Sequence, residues 1–295
     1  MTKKSAFVAV IGRPSVGKST LVNKLCGEKV AIVSPVPQTT RNAIRGIVNR
    51  PEGQLVFVDT PGRHFSEKKF NKKLMETGSR ILAEADLVLY VFDASRAPGV
   101  EEHSVAELVK PYCDRTVAAI NKSDLAGVDI GGARDFLVRE AGLCEEHSLV
   151  VSALTGDGVE ELLTELFKLA PDGDAHYPED YYTDQSVPFR IAEIIREKAI
   201  IRLKEELPHS IYVEIADTEF KEDGKRLWVR AFIMVERESQ KGIVVGKGGE
   251  MIKNIRQAAQ KDMNRIFEWK TELDLRVKTS HDWRHKDSIL KSLLE

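Results

Sequence analysis

The chain has 295 residues, of which 42% are hydrophobic and 31% charged, with a formal net charge of −2; that length suits two folded domains, and the composition excludes a disordered or fibrous chain. No apolar run approaches the ~20 residues of a membrane-crossing helix, and the stretch from Ala6 to Ile11 behind the faintly basic start is too short for a secretion signal. Three scattered cysteines, Cys26, Cys113 and Cys144, offer neither a disulfide framework nor a zinc site, so reduced thiols in the cytoplasm are expected.

Apolar runs at Phe7 to Ile11, Leu55 to Val58, Leu87 to Phe92, Val117 to Ile120 and Leu149 to Val151 alternate, for the most part, with amphipathic stretches of helical length. This pattern predicts an α/β domain, a mostly parallel sheet with helices on both faces. Ile44 to Val48 precedes the second run across Pro51, Glu52 and Gly53, which predicts a hairpin and one antiparallel strand. A helix over Gly158 to Leu169 completes the first domain, residues 1–169. Residues 170–186 mix Pro171, Gly173 and Pro178 with acidic side chains and read as a linker.

The second domain, residues 187–295, is expected to be a smaller α+β unit. Its pattern predicts a helix from Phe189 to Leu207, strands Ile211 to Asp217 and Leu227 to Val235 around a Glu222-Asp223-Gly224 turn, and a helix pair around Gly246 to Gly249. A strand from Leu273 to Lys278 and a closing helix from Lys286 to Leu294 follow.

Gly12, Arg13, Pro14, Ser15, Val16, Gly17, Lys18 and Ser19 fit the phosphate-loop pattern G-x-x-x-x-G-K-[ST] between a strand and a helix, with Thr20 leading into that helix. Glycine lets the backbone curl so that its N–H groups face the phosphates at a helix N-terminus. Lys18 would reach the β- and γ-phosphates and the Ser19 hydroxyl would ligate Mg²⁺. Asp59, Thr60, Pro61 and Gly62 follow the second apolar run; Asp59 would hold Mg²⁺ through water and the Gly62 N–H would meet the γ-phosphate.

Between these two motifs lies Val36-Pro37-Gln38-Thr39-Thr40-Arg41, the place of a switch loop. Either adjacent threonine can serve as the Mg²⁺ ligand, and Thr40 is favoured.

Asn121, Lys122 and Asp124 follow the fourth run. Asp124 accepts hydrogen bonds from N1–H and the exocyclic amine of guanine; adenine would set a lone pair against it, at a cost of about 1–3 kcal/mol or more. The stem of Lys122 would pack on the base, and Asn121 would tie the base loop to the phosphate loop. Ser152, Ala153 and Leu154 after the fifth run would offer backbone N–H groups to guanine O6. Four motifs at four strand ends, where open α/β sheets bind ligands, point to GTP/GDP binding and hydrolysis. Lys18, Thr40 and Gly62 are the residues expected to stabilise the transferring phosphoryl group.

In the second domain Gly246, Lys247, Gly248 and Gly249 place a G-x-x-G loop between two helices, the device with which KH modules clamp a nucleic-acid backbone. From Arg237 to Arg265 there are seven basic and three acidic residues. Lys241, Lys247, Lys253 and Arg256 are the candidate phosphate contacts, whereas Ile252, Ile255, Ala259, Met263 and Ile266 have the spacing of a buried stripe. Trp228 sits in an apolar strand and is expected in the core; Trp269 and Trp283 are open between core and base stacking. His281 and His285 read as structural or surface residues.

Taken together, these motifs resemble the Era family of bacterial GTPases over essentially the whole chain. The resemblance implies a Ras-like P-loop domain followed by a type II KH domain. It implies slow, Mg²⁺-dependent GTP hydrolysis, contact with the 3′ region of 16S rRNA and assistance in maturing the small (30S) ribosomal subunit. It also suggests peripheral association with the inner face of the cell membrane. A monomer with no DNA partner is expected.

Two positions depart from the family pattern. Ser15 stands where many relatives carry an Asn linked to a monovalent cation, so potassium stimulation is not carried over. Arg63 follows Gly62 where relatives have an apolar residue; it is read as an exposed switch residue rather than as a source of transition-state charge. A tRNA-modifying GTPase shares the double threonine but would need a catalytic Cys near the C-terminus, and this chain ends Ser292-Leu293-Leu294-Glu295. A constitutive RNA binder with a merely structural nucleotide domain would not need the complete phosphate and base motifs.

Overall fold

The computed structural model describes residues 3–36, 39, 41–59, 80–204, 207–221, 224–283 and 286. Pro37, Gln38, Thr40, Thr60, Pro61, Gly62, Arg63, His285 and the closing helix beyond Lys286 lie outside the described residues. The chain forms two compact units.

The first unit carries strands β1 (Lys4–Ile11), β2 (Ile44–Arg50), β3 (Gly53–Asp59), β4 (Leu87–Asp93), β5 (Thr116–Asn121) and β6 (Ser148–Val150) in the order β2-β3-β1-β4-β5-β6. Helices α1 (Lys18–Cys26), α2 (Val100–Val109), α3 (Ile130–Ala141) and α4 (Val159–Leu169) connect or flank them, and residues 80–84 are helical. All neighbouring strands pair in parallel except β2 and β3, the expected hairpin.

Strands β3 and β4 are buried along their whole length, as befits the middle of a sheet covered on both faces. Tyr90 and Phe92 project from β4 into a cluster with Val105 and Val109 of α2 and Leu137 of α3. The Asp129 side chain caps α3 by accepting from the Gly132 N–H, which satisfies a donor that helix geometry leaves orphaned. Helix α4 buries Val159, Leu162, Leu163, Leu166 and Phe167 along one stripe.

Residues 170–184, most of the expected linker 170–186, group with this unit. Pro171 O accepts from Ser5 N, Tyr182 O accepts from Ile47 N at 2.9 Å, and the Gln54 amide bridges backbone groups of His176 and Tyr177.

The second unit runs α5 (Val187–Arg202), a single turn α6 (Leu207–Ser210), β7 (Tyr212–Phe220), β8 (Arg226–Val235), α7 (Glu238–Val245), α8 (Glu250–Ile266) and β9 (Lys270–Thr279). Its sheet has the order β7-β8-β9, antiparallel and then parallel. The Ser186 hydroxyl caps α5. That helix stops at Arg202 rather than continuing to Leu207, with Leu203 extended; Pro208 instead belongs to the separate turn, since proline is tolerated in a first turn but not in a helix interior.

Leu227, Val229, Ala231, Ile233 and Val235 alternate inward along β8 onto Ile255, Ala259 and Met263 of α8, the stripe read from the sequence. Trp228 corrects the expectation of a core residue. It lies on the opposite face of β8, half-exposed, with the Arg230 guanidinium 4.8 Å and the Lys221 amine 5.9 Å from its ring centroid. Trp283 is the core residue, 1% exposed, packing on Tyr212 and donating to Ser210 O at 3.0 Å. Trp269 stacks on Phe267.

The second unit also includes Ile32–Thr39, the stretch before the expected switch threonine. Val36 packs against the core of this unit, Val33 N donates to Glu197 Oε1 at 2.9 Å, and Arg196 donates to Thr39 O at 2.6 Å. Glu197 is paired with Lys198, which also pairs with Asp262 of α8.

All three cysteines are free. No helix among the described residues is long and apolar enough to cross a membrane.

Candidate nucleotide site and nucleic-acid loop

Because β1, β3, β4 and β5 are parallel, their carboxyl ends open onto one edge of the sheet, where the expected site residues gather. The loop Gly12 to Gly17 joins β1 to α1. Gly17 has φ 101°, and a Cβ there would lie 2.5 Å from Asn121 Nδ2. Only glycine allows that approach, which lets Asn121 Nδ2 donate to Val16 O at 2.8 Å. Ser15, with φ 62°, holds the left-handed backbone that turns the loop inward.

Lys18 is buried and its amine donates to Gly12 O and Arg13 O, each at 2.9 Å. Burial lowers its pKa to about 8, against the opposing pull of Asp59 and Glu102. A desolvated amine enclosed by carbonyls is poised to exchange them for phosphate oxygens. Ser19 Oγ donates to Asp59 Oδ2 at 2.6 Å, although 40 positions separate them in the chain. This pair of hard oxygen donors at a helix N-terminus fits Mg²⁺. Of the second motif only Asp59 is described; of the two threonines only Thr39 is, and its hydroxyl donates to Val36 O and is 2.6 Å from Ser34 Oγ.

The base side is also pre-assembled. Asn121 Oδ1 accepts from Ala153 N at 2.9 Å, and Ser152 Oγ donates to Asp124 Oδ1 at 2.7 Å. Ser152 and Ala153 are buried, whereas Leu154 is exposed. The structure thus brings Gly12 to Thr20, Asp59, Asn121 to Asp124 and Ser152 to Leu154 into one neighbourhood.

The motifs themselves did not reveal a set of charges behind these loops. Arg13 donates to Asp93 Oδ2 at 2.9 Å and to Glu102 Oε2 at 2.8 Å; Lys122 donates to the same Asp93 oxygen at 2.8 Å; Tyr90 donates to Glu102 Oε1 at 2.7 Å. Burial raises the Glu102 pKa despite hydrogen bonds from Tyr90 and Arg13. Burial pushes the Asp93 carboxyl the same way, but hydrogen bonds from Lys122 and Ser95 together outweigh it and leave Asp93 below its ordinary value. The sequence signal was there in part: Asp93 is the first polar residue after the apolar run Leu87 to Phe92.

In the second unit α7 ends at Val245, capped by Gly246, and α8 begins at Glu250. Gly246 has φ 74°, and a Cβ there would sit 2.6 Å from Met251 Cβ, so the tight turn requires glycine. Around Gly248 and Gly249 the corresponding positions meet nothing within 4 Å, leaving the loop open for close approach of another backbone. Lys247 and Lys253 are exposed and Arg256 half-buried, one turn from Lys253 on α8. Lys241 is engaged by Glu238 at 2.9 Å.

Residues 7–122 match the family described as 50S ribosome-binding GTPase, and residues 206–284 match the KH domain. The GTPase Era of Treponema denticola is 49% identical over 98% of this chain and 99% of its own; that of Borreliella afzelii is 45% identical over 99% of each. A variant of Aquifex aeolicus Era bound to GDP and AlF4⁻ superposes with a TM-score of 0.92 at 33% identity, covering 99% of this chain and 98% of its own. An Era in complex with MgGDPNP and nucleotides 1506–1542 of 16S ribosomal RNA matches equally well, with a TM-score of 0.92 at 33% identity and the same coverage.

Proposed function

Since the chain belongs to the Era family of GTPases, we propose that it is a GTP-hydrolysing switch that binds 16S rRNA near its 3′ end and assists maturation of the small (30S) ribosomal subunit. The enzyme hydrolyses GTP to GDP and phosphate; the family and the GTPase domain carry that activity. The RNA assignment draws support from the Era complex with an rRNA fragment and from the open Gly246 to Gly249 loop.

The roles divide as follows. Gly12 to Thr20 enclose the phosphates, with Lys18 on the β- and γ-oxygens. Ser19 and Asp59, with Thr40, would hold Mg²⁺, which would supply positive charge to neutralise the phosphates. Asn121, Lys122 and Asp124 with Ser152, Ala153 and Leu154 hold guanine, and Thr60, Pro61 and Gly62 face the γ-phosphate. In the RNA-binding domain Gly246, Lys247, Gly248 and Gly249 take the RNA backbone, assisted by Lys241, Lys253 and Arg256. The division into residues 1–169, a linker 170–186 and residues 187–295 belongs to the same reading. So do a monomeric state, a cytoplasmic location and peripheral contact with the inner face of the cell membrane.

One observation carries the switch: Ile32–Thr39, which leads directly into Thr40, is held by α5 of the RNA-binding unit through Arg196 and Glu197. A nucleotide that captures Thr40 would therefore pull on a segment anchored in the unit that carries the RNA-binding loop. The test is the affinity for a short single-stranded RNA from the 16S 3′ end, with GDP and with a non-hydrolysable GTP analogue, at fixed salt. The expected result is a nucleotide-dependent difference that disappears in Gly248→Asp. Equal affinities would reduce the chain to a GTPase and an RNA binder without communication.

A further inference from the structure

We propose that Asp93 and Glu102 are positioning residues for the nucleotide, binding the phosphate loop and the guanine loop into one body through Arg13 and Lys122. The proposal rests on the assignment of those two loops made above.

The topology makes the arrangement possible. Strand β4 lies between β1, which feeds the phosphate loop, and β5, which feeds the guanine loop. Asp93, its last residue, is in register with Asn121 of β5. A single carboxylate there can reach both loops, and its Oδ2 accepts from Arg13 on one side and Lys122 on the other. Its Oδ1 accepts from the N–H and hydroxyl of Ser95. Glu102, on the helix after β4, takes the second arm of Arg13 and is itself fixed by Tyr90.

The charges balance. Two cations, Arg13 and Lys122, face two anions, Asp93 and Glu102. The acid side chains are 0% and 1% exposed and that of Arg13 is 11% exposed. Buried pairs contribute most to geometry, because removing one partner strands the other in a poorly solvating interior. The geometry here is not otherwise favoured: Lys122 has φ 69°, a left-handed conformation that a residue with a Cβ resists. Its side chain reaches Asp93 from that conformation, so the ion pair and the backbone set each other. Among the described residues the two acids hydrogen-bond to Arg13, Lys122, Ser95 and Tyr90. Their effect belongs to binding rather than to the chemical step.

The experiment measures GDP dissociation, KM and kcat for GTP in full-length wild type, Asp93→Asn and Glu102→Gln. Both substitutions keep an oxygen acceptor and remove the charge. Asp93→Asn should speed GDP dissociation and raise KM on the order of a hundredfold, the scale on which losing one partner of a buried charge pair changes dissociation, while kcat stays within about twofold; KM reports affinity where hydrolysis is slow. In the Asp93→Asn background Lys122→Met should add little, since the two act as a pair. Should Asp93→Asn fail to fold, Glu102→Gln carries the same KM-against-kcat test through Arg13 alone. Unchanged dissociation and KM in a folded variant would overturn the proposal, as would a fall in kcat at constant KM. Wild-type protein that does not retain GDP would instead defeat the assignment of the two loops.

Discussion

The Arg196 guanidinium donates to the Thr39 carbonyl oxygen at 2.6 Å, across 157 positions of sequence. Arg196 is buried, and its Nε and the same Nη2 that reaches Thr39 also donate to Glu193 of the same helix, so it presents a fixed donor to the residue that immediately precedes Thr40. Arg196→Ala should release that anchor. If coupling between nucleotide and RNA is of the usual ~5- to 150-fold size, the ratio of RNA affinities with GDP and with a GTP analogue should shrink to within about threefold. Melting temperature measured in parallel separates this from unfolding. An unchanged ratio would show that the anchor does not transmit nucleotide state.

Asp124→Asn should weaken GDP binding on the order of 10- to 100-fold, because an amide cannot accept from both guanine donors and is left mismatched. Xanthosine diphosphate, which presents an acceptor where guanine has its amine, should gain affinity. Competition between the two nucleotides against a fluorescent GDP decides the matter; retention of guanine preference would remove Asp124 from the base site.

Lys253→Ala should lower RNA affinity for all sequences alike and should reduce the slope of log K against log salt by about 0.7, the value for one phosphate contact on a single strand. Titrations at three salt concentrations suffice. A loss confined to particular sequences would make Lys253 a base reader instead.

Ile255→Ala empties a fully buried position in the stripe between α8 and the sheet of the second unit. It should cost about 2–5 kcal/mol, seen as a lower denaturation midpoint. A cost below ~1 kcal/mol would mean that the sheet and α8 close over the gap.

Much of this was legible in the sequence because it is local. Strand ends were marked by apolar runs such as Leu55 to Val58, and the phosphate loop by the spacing of Gly12, Gly17, Lys18 and Ser19. The stripe Ile255, Ala259, Met263 follows directly from helical periodicity. The pairings of Arg13 with Asp93, and of Arg196 with Thr39, join residues 80 and 157 positions apart; no spacing rule announces them. Trp228 was misread for a different reason. The segment Leu227 to Val235 is apolar enough to resemble a strand buried on both faces, and strict alternation places Trp228 with Arg230 on the outer face, where long cationic side chains cover the indole.

Residues 170–184 shield a sheet margin. Strand β2 is an outermost strand, and such margins invite pairing with another chain. Tyr182 takes up the Ile47 N–H, Thr183 donates to Arg45 O, and the Asn49 amide donates to the carbonyls of Glu179 and Tyr181. The segment that joins the two units is therefore also a selvedge for the first. Severing the chain after Leu169 would strip it away and leave a polymerisation-prone rim, whereas severing it after Asp184 keeps the rim bound.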